Sequence, residues 1–208
     1  MHHSMKSTFR SAALTITLLT TLAGTASAAD PVRVRGAITE VTEVTEDAIH
    51  VKARDGKDVA VKLSAGTMVI SVALTDLSAI KADSYIGTAA APQPDGTLKA
   101  LEVHIFPASM RGVGEGSRPW DGAKDSSMTN GAVGSILGTD GRTLTVKYKN
   151  GEKKVFVPAD VPVVSLEPGD RSLLATGAKL VLLATKAEDG SLTAVSISVG
   201  ANGIAPPM

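Results

Sequence analysis

The chain has 208 residues, with 21 basic residues, 21 acidic residues and no cysteine, and only 3% of it is aromatic. The lack of cysteine excludes a disulfide scaffold, a thiol nucleophile, an iron–sulfur cluster and a zinc–thiolate site. Phosphate neutralisation and base stacking supply most nucleic-acid affinity. A chain with balanced charge and few aromatic rings is therefore not expected to bind nucleic acid.

Residues 1–28 have the pattern of a cleavable secretory signal peptide. Lys6 and Arg10 give it a positive start. An uncharged apolar run follows over residues 12–24, and an A-x-A motif ends at Ala28. The run is shorter than the roughly 20 residues that cross a bilayer, so we expect no membrane span in the mature chain. We expect the protein in the bacterial envelope, either periplasmic or secreted, with a net charge of −2 once this segment is removed.

Two parts of the remaining sequence align with each other. The aligned stretches are 35–63 with 130–158, at an offset of 95, and 94–105 with 188–199, at an offset of 94. Gly36, for example, falls on Gly131. We therefore predict two copies of one β-domain, over residues 32–106 and 129–202, followed by a loose tail over residues 203–208.

Each copy has the pattern of short β-strands. Apolar and polar residues alternate in stretches such as residues 49–53 (IHVKA) and 144–148 (LTVKY), as they do in half-buried strands. Glycine follows Asp or Asn at four predicted hairpin turns: Asp55-Gly56, Asp95-Gly96, Asn150-Gly151 and Asp189-Gly190. The runs between turns predict about five strands per copy.

A stretch without strand character lies between the third and fourth predicted strands of each copy. It covers residues 75–83 in the first copy and 169–177 in the second, and it predicts a short helix. Five strands with a helix after the third match the order of an OB barrel. We therefore predict an all-β protein of two tandem five-stranded OB-like barrels, with small β-sandwiches as the alternative.

Several motifs of the chain resemble an uncharacterised family of secreted bacterial proteins with tandem OB-like small β-barrel domains. They are RGAITEV at residues 35–41, LTDL at 74–77, DGTLKALEVHI at 95–105 and RGVGEGSRPWD at 111–121. The resemblance covers nearly all of the predicted mature chain. Because its motifs are structural, it implies the fold and the compartment and no particular activity.

Residues 107–128 belong to neither copy and form a predicted Gly-rich inter-domain loop. Long loops in compact domains are usually functional or disordered. This segment holds the only tryptophan of the chain among several charged residues. One interpretation is a linker whose tryptophan packs into the seam between the copies. The other is a binding loop, with five candidate ligand-binding residues: Arg111, Glu115, Arg118, Trp120 and Asp121.

The predicted mature chain contains two histidines, His50 and His104. Both lie in alternating strands beside apolar residues that face inward, so the histidine side chains are expected to face outward. With Glu102 they form the candidate set for a metal site, although no metal-binding spacing supports it. The two histidines are otherwise interpreted as surface residues.

No sequence motif indicates an enzyme, since a G-x-S-x-G elbow is lacking and the histidines are not predicted to line a pocket. We expect a non-enzymatic periplasmic binding or adaptor protein without a cofactor. It would recognise an envelope protein, a glycan or a small anionic ligand at the seam, because clefts form at such interfaces. The alternative is a periplasmic metal-binding or metal-handling protein with a divalent transition metal.

Overall fold

The computed structural model describes residues 31–42, 48–138 and 141–208. The predicted signal peptide over residues 1–28 lies outside the described residues. The described strands are β1 (Val32–Thr42), β2 (Ala48–Ala53), β3 (Asp58–Lys62), β4 (Met68–Thr75), β5 (Tyr85–Pro92), β6 (Leu98–Ile105), β7 (Gly116–Pro119), β8 (Ser127–Leu137), β9 (Thr143–Tyr148), β10 (Gly151–Phe156), β11 (Val163–Pro168), β12 (Lys179–Lys186) and β13 (Leu192–Gly200). The all-β class predicted from the sequence is confirmed.

The predicted hairpin turns join antiparallel neighbours. The turn at Asp55-Gly56 joins β2 to β3, and Gly56 has a φ of +84°, which glycine adopts at little cost. The turns at Asp95-Gly96, Asn150-Gly151 and Asp189-Gly190 join the pairs β5–β6, β9–β10 and β12–β13. Asp55, Asp95 and Asp189 each accept a hydrogen bond from a backbone N–H two residues later, which fixes the turn locally.

Five strands close into a first ring, defined as β1–β2–β3–β13–β12. Each strand pairs with the next, and β12 pairs with β1 to complete the closure. The ring interior is filled by apolar side chains that alternate along these strands, among them Val34, Ile49, Val51, Leu182 and Ile197. Closure leaves none of the five strands as an open sheet edge. The predicted closure of five strands into a barrel is therefore confirmed.

Five other strands form a second ring, defined as β8–β9–β10–β6–β5, in which β5 pairs back with β8. Val103, Leu144, Val146 and Val155 lie in its buried cluster. The two rings have matching local geometry. A Cβ on Gly36 of β1 would overlap the carbonyl of Lys52, and a Cβ on Gly131 of β8 would overlap that of Lys147. This close approach explains why glycine stands at both aligned positions.

The strand pairings differ from the predicted tandem arrangement, in which each copy would close on itself. The first ring takes three strands from residues 32–62 and two from residues 179–200. The second ring takes β8, β9 and β10 from the second half of the chain and β5 and β6 from the first. The two halves thus exchange their last two strands.

The strands β4 and β11 join the rings at the centre of the molecule. They pair with each other antiparallel, while β4 also pairs with β13 and β11 with β6. A third buried cluster forms here. It contains Ile70 and Val72 of β4, Val164 and Leu166 of β11, Tyr85, Phe106 and Met208, with Met110, Trp120 and Ile204 packed against it. We call this region the seam.

Two further predictions need correction. The expected helices are single 3₁₀ turns, Leu77–Ala79 and Arg171–Leu173, and each follows the fourth strand of its half because β4 and β11 add a strand to each. Residues 203–208 are not a loose tail. Ile204 and Met208 pack in the seam, and the Nε of Arg35 donates to the carbonyl oxygen of Met208 at 2.9 Å.

In the described part of the chain, none of the helices has the length and apolar character needed to cross a membrane.

Candidate functional site

The segment over residues 107–128 is ordered and adds β7 to the second ring. β7 pairs antiparallel with β8, with Ser117 opposite Thr129. After β7 the chain turns back, and the turn is held by Ser126, whose carbonyl accepts from the Trp120 N–H at 2.9 Å and whose hydroxyl donates to the Trp120 carbonyl at 3.1 Å. This turn carries Trp120 and Asp121 towards the first ring.

Trp120 and Asp121 both contact two arginines on β1. The guanidinium of Arg33 lies 3.9 Å from the centre of the Trp120 ring, and that of Arg35 lies 5.8 Å from it. Arg35 donates to both carboxylate oxygens of Asp121, at 3.0 and 2.9 Å, and Arg33 donates to Oδ1 at 3.0 Å. We call Arg33, Arg35, Trp120 and Asp121 the arginine cluster. The bidentate contact of Arg35 with Asp121 is the strong form of an arginine–carboxylate pair.

Positive charge exceeds negative charge around the arginine cluster. The hydrogen bond from Arg35 lowers the pKa of Asp121 far below its ordinary value, although partial burial works in the opposite direction, and the positive charges of Arg33 and Arg35 lower it further. Burial lowers the pKa of Arg118, and the positive charge of Arg33 adds to this effect. The field at the cluster therefore favours an additional negative group.

The other predicted ligand residues lie in separate contacts of the same segment. Arg111 donates to the carbonyl and the carboxylate of Asp83, each at 2.8 Å. Glu115 accepts from the backbone N–H of Lys149 at 2.8 Å. Arg118 donates to the carbonyl of Gly114 at 2.8 Å. The contacts of Arg111 and Glu115 tie the segment to neighbouring parts of the chain, whereas that of Arg118 lies within the segment. A ligand role for these three residues stays a prediction.

The sequence reasoning missed Arg33 and Arg35. A usable signal was present, because the run Val32-Arg33-Val34-Arg35 alternates apolar and basic residues. In a strand, this alternation places both arginines on one face and the valines on the other. The structure agrees: Val34 packs inside the first ring, and the two arginines face outward to the seam.

A cavity of about 610 Å³ opens at the end of the first ring beside the arginine cluster. We call it the basic cavity. Among the described residues that line it, five are basic and one is acidic: Arg33, Arg35, Arg54, Lys57 and Lys186 against Asp55. Its apolar lining includes Val32, Val34, Val59 and Leu192. Both halves of the chain contribute lining residues to it, but none of those residues comes from the segment over residues 107–128, under which the sequence analysis placed the ligand.

The prediction that His104 faces solvent is wrong. His104 points away from the interior of the second ring, as the alternation predicted, but it is only 5% exposed and Glu102 only 1%. The His104 Nδ1 lies 3.0 and 3.2 Å from the two carboxylate oxygens of Glu102, and Phe106 packs edge-on at 4.9 Å. The outer face of β6 is covered by the seam. The alternation of residues within one strand does not show that other parts of the chain cover its outer face.

Gly87 and Asn130 complete this buried polar group. Gly87 stands opposite His104 on one side and Asn130 on the other, and a Cβ at Gly87 would overlap the His104 ring. Asn130 donates from Nδ2 to the carbonyl of Val113 at 3.1 Å, which orients its Oδ1. That oxygen has no hydrogen-bond partner among the described residues. The histidine thus fills the space that the glycine leaves.

His50 lies on β2 of the first ring and is half-buried, whereas His104 belongs to the second ring. Only Glu102 and His104 of the candidate metal set contact each other. Over residues 31–42, 48–138 and 141–208 there is no group of three or more His, Cys, Asp and Glu side chains suited to a metal ion. The metal-binding alternative stays a prediction.

Comparison of this chain with family models, with curated proteins and with solved structures finds no match.

Proposed function

We propose that the chain is a non-enzymatic binding protein of the bacterial envelope, built from two OB-like halves that exchange strands. It binds a small anionic ligand with an apolar part in the basic cavity. The observation that carries the proposal is the lining of that cavity, which combines five basic residues and one acidic residue with apolar side chains.

The size of the cavity supports a small ligand. Binding sites for small molecules typically have volumes of roughly 300–1,000 Å³, and the basic cavity has about 610 Å³. Apolar walls with a few charged groups are typical of such sites, because the walls supply affinity and the charges fix orientation. Of the apolar lining residues, Val34 belongs to the core of the first ring and Leu192 packs against it.

The charge of the cavity supports an anion. Arg54, Lys57 and Lys186 are exposed at its rim, where they would attract a negative ligand from solution. Lys57 is 2.7 Å from Asp55, so part of this charge is neutralised. Arg54 and Lys186 make no such ion pair within the described residues, and they are the rim positions on which an anion would depend most.

The test is a titration of the purified protein with octanoate, whose carboxylate and apolar tail match the two parts of the lining. Binding is followed by calorimetry and by the fluorescence of Trp120, which is the only tryptophan and stacks on a cavity-lining arginine. We expect saturable binding that weakens as salt rises, because salt screens the rim charges. Acetate, which lacks the tail, should bind more weakly, and octylammonium should not bind.

Variants separate the basic cavity from other basic surfaces. Arg54→Gln and Lys186→Gln should each weaken octanoate binding several-fold. Lys154→Gln, an exposed charge on β10 of the second ring, is the matched control and should leave binding unchanged. Equal binding of octanoate and octylammonium, or equal effects of all three substitutions, would contradict the proposal.

A further inference from the structure

The arginine cluster has the geometry of an occupied carboxylate site. Three N–H groups from Arg33 and Arg35 point at the two oxygens of Asp121, at 2.9 to 3.0 Å. Arg35 is also fixed by its Nε hydrogen bond to the Met208 carbonyl. Trp120 holds the guanidinium of Arg33 in place by stacking on it. The donors are therefore positioned by contacts other than those with Asp121.

Exposure differs between the donors and the carboxylate that they hold. The side chains of Arg33 and Arg35 are 23% and 19% exposed, whereas that of Asp121 is 50% exposed. The covered arginines are the fixed part of the contact, and the carboxylate enters it from the solvent side. Strand pairing of β7 ends at Pro119, so Asp121 can leave the arginines without breaking a strand hydrogen bond.

The same two arginines line the basic cavity, so a ligand bound there lies beside the donors that hold Asp121. Two arginines face one carboxylate, and Arg118 adds positive charge close by. We infer that Arg33 and Arg35 form a carboxylate-binding site that the chain's own Asp121 occupies in the unliganded protein, and that the ligand of the basic cavity carries a carboxylate which displaces Asp121. This inference rests on the proposed function and adds to it the chemical class of the ligand.

Removing the internal carboxylate tests the inference. In Asp121→Asn, the two arginines no longer hold a carboxylate of the chain. Octanoate should then bind about 10-fold more tightly, since it no longer has to break the charge-assisted hydrogen bonds to Asp121. Asp121→Ser, which also removes the carboxylate, is measured in parallel so that a folding defect in one variant does not decide the result. Circular dichroism checks that both variants are folded.

Asp125→Asn is the matched control, because Asp125 is an exposed carboxylate of the same segment that contacts neither arginine in the described structure. It should leave octanoate affinity unchanged. Octyl phosphate is titrated as well, and its affinity should rise less than that of octanoate when Asp121 is replaced.

The outcomes distinguish the inference from the proposed function. Suppose that the wild-type protein binds octanoate and that both Asp121 variants bind it with equal or lower affinity. That result would overturn the inference and leave the proposed function standing. An equal gain for octyl phosphate would overturn the assignment to carboxylates. Failure of the wild-type protein and of every variant to bind any anion would overturn the proposed function itself.

Discussion

The guanidinium of Arg33 on the first strand lies 3.9 Å from the ring centre of Trp120, the only tryptophan in the chain. This contact ties the segment that crosses between the rings to the outer face of the first ring. A cation over an aromatic face is attracted by the ring quadrupole, and the attraction grows as water is excluded. The stack therefore combines a structural role in the seam with a position beside the basic cavity.

Replacing the tryptophan tests the structural role. Trp120→Leu should lower the free energy of unfolding by about 2 kcal/mol, since it removes the cation–π contact and part of the buried ring area. Urea denaturation followed by circular dichroism is the suitable measurement, because the variant has no tryptophan fluorescence. An unfolding free energy equal to that of the wild type would mean that the stack does not stabilise the seam.

Gly87→Ala should be strongly destabilising. The new Cβ would overlap the His104 ring, which Glu102 and Phe106 hold from other sides, and would lie 2.6 Å from the Asn130 Oδ1. Overpacking of this kind costs about 2–3 kcal/mol. Gly66→Ala is the control, because Gly66 is exposed and a Cβ there would meet only the Ser64 hydroxyl at 3.8 Å. Thermal and urea unfolding of the two variants give the comparison.

A double variant identifies why Gly87→Ala lowers the stability. The first ring shows the converse pairing. At the offset of 94, Val181 and Ser198 correspond to Gly87 and His104, and they also stand opposite each other. A larger side chain is therefore accommodated where the partner is small. Gly87→Ala should accordingly cost less in a His104→Ser background than in the wild type. The same cost in both backgrounds would assign the loss to the Asn130 side chain instead of the His104 ring.

Glu102→Gln should destabilise the second ring. The carboxylate accepts from the backbone N–H of Ala89 at 3.0 Å and contacts the His104 Nδ1. In the tautomer in which that Nδ1 carries the proton, an amide would turn its N–H₂ towards one of these two donors. Leaving a buried donor unsatisfied costs about 2 kcal/mol. The control is Glu152→Gln on β10, which is exposed and should change the unfolding free energy by less than about 0.5 kcal/mol.

Asp121 should make stability depend on acid pH. Its pKa in the folded chain lies below the ordinary value of 3.8, so the unfolded chain binds this proton more readily. The stabilisation by the contact of Asp121 with the arginines is therefore complete above the ordinary pKa of 3.8 and is lost as the pH falls towards the lower pKa of the folded chain. Because the carboxylate is half exposed, the effect should be only about 1 kcal/mol.

Urea denaturation at pH 7 and at pH 2.5 measures this contribution. Asp121→Asn should reduce the difference between the two pH values, and Asp125→Asn should leave it as in the wild type. A pH dependence that is identical in the wild type and in Asp121→Asn would show that the arginine contact does not stabilise the fold.

Sequence and structure agree where the structure depends on local interactions. The hairpin at Asp55-Gly56 needs only a residue that adopts a positive φ and a side chain that accepts from the backbone, and the sequence specifies both. Alternation predicted which side of a strand faces a ring interior, as for Ile49 and Val51 of β2. The all-β class and the four hairpin turns were accessible for the same reason.

The candidate site was accessible only in part. Trp120 and Asp121 were singled out because their types are unusual in a Gly-rich segment, and the structure brings them together. Their partners Arg33 and Arg35 lie more than eighty residues earlier in the chain. No local pattern links the two stretches, so the basic cavity beside them was not predicted.

The sequence by itself determined the strands, their turns and their inward faces, because these follow from backbone conformation and from the period of two in a β-strand. Only the tertiary structure decided which strands pair. The aligned halves have similar alternation of apolar residues, so periodicity does not tell whether β5 and β6 pair with their own half or with the other, and the structure pairs them with β8 and β10. The burial of His104 was likewise decided by tertiary contacts, because Glu102 and Phe106 cover a side chain that alternation alone places on the outer face of its ring.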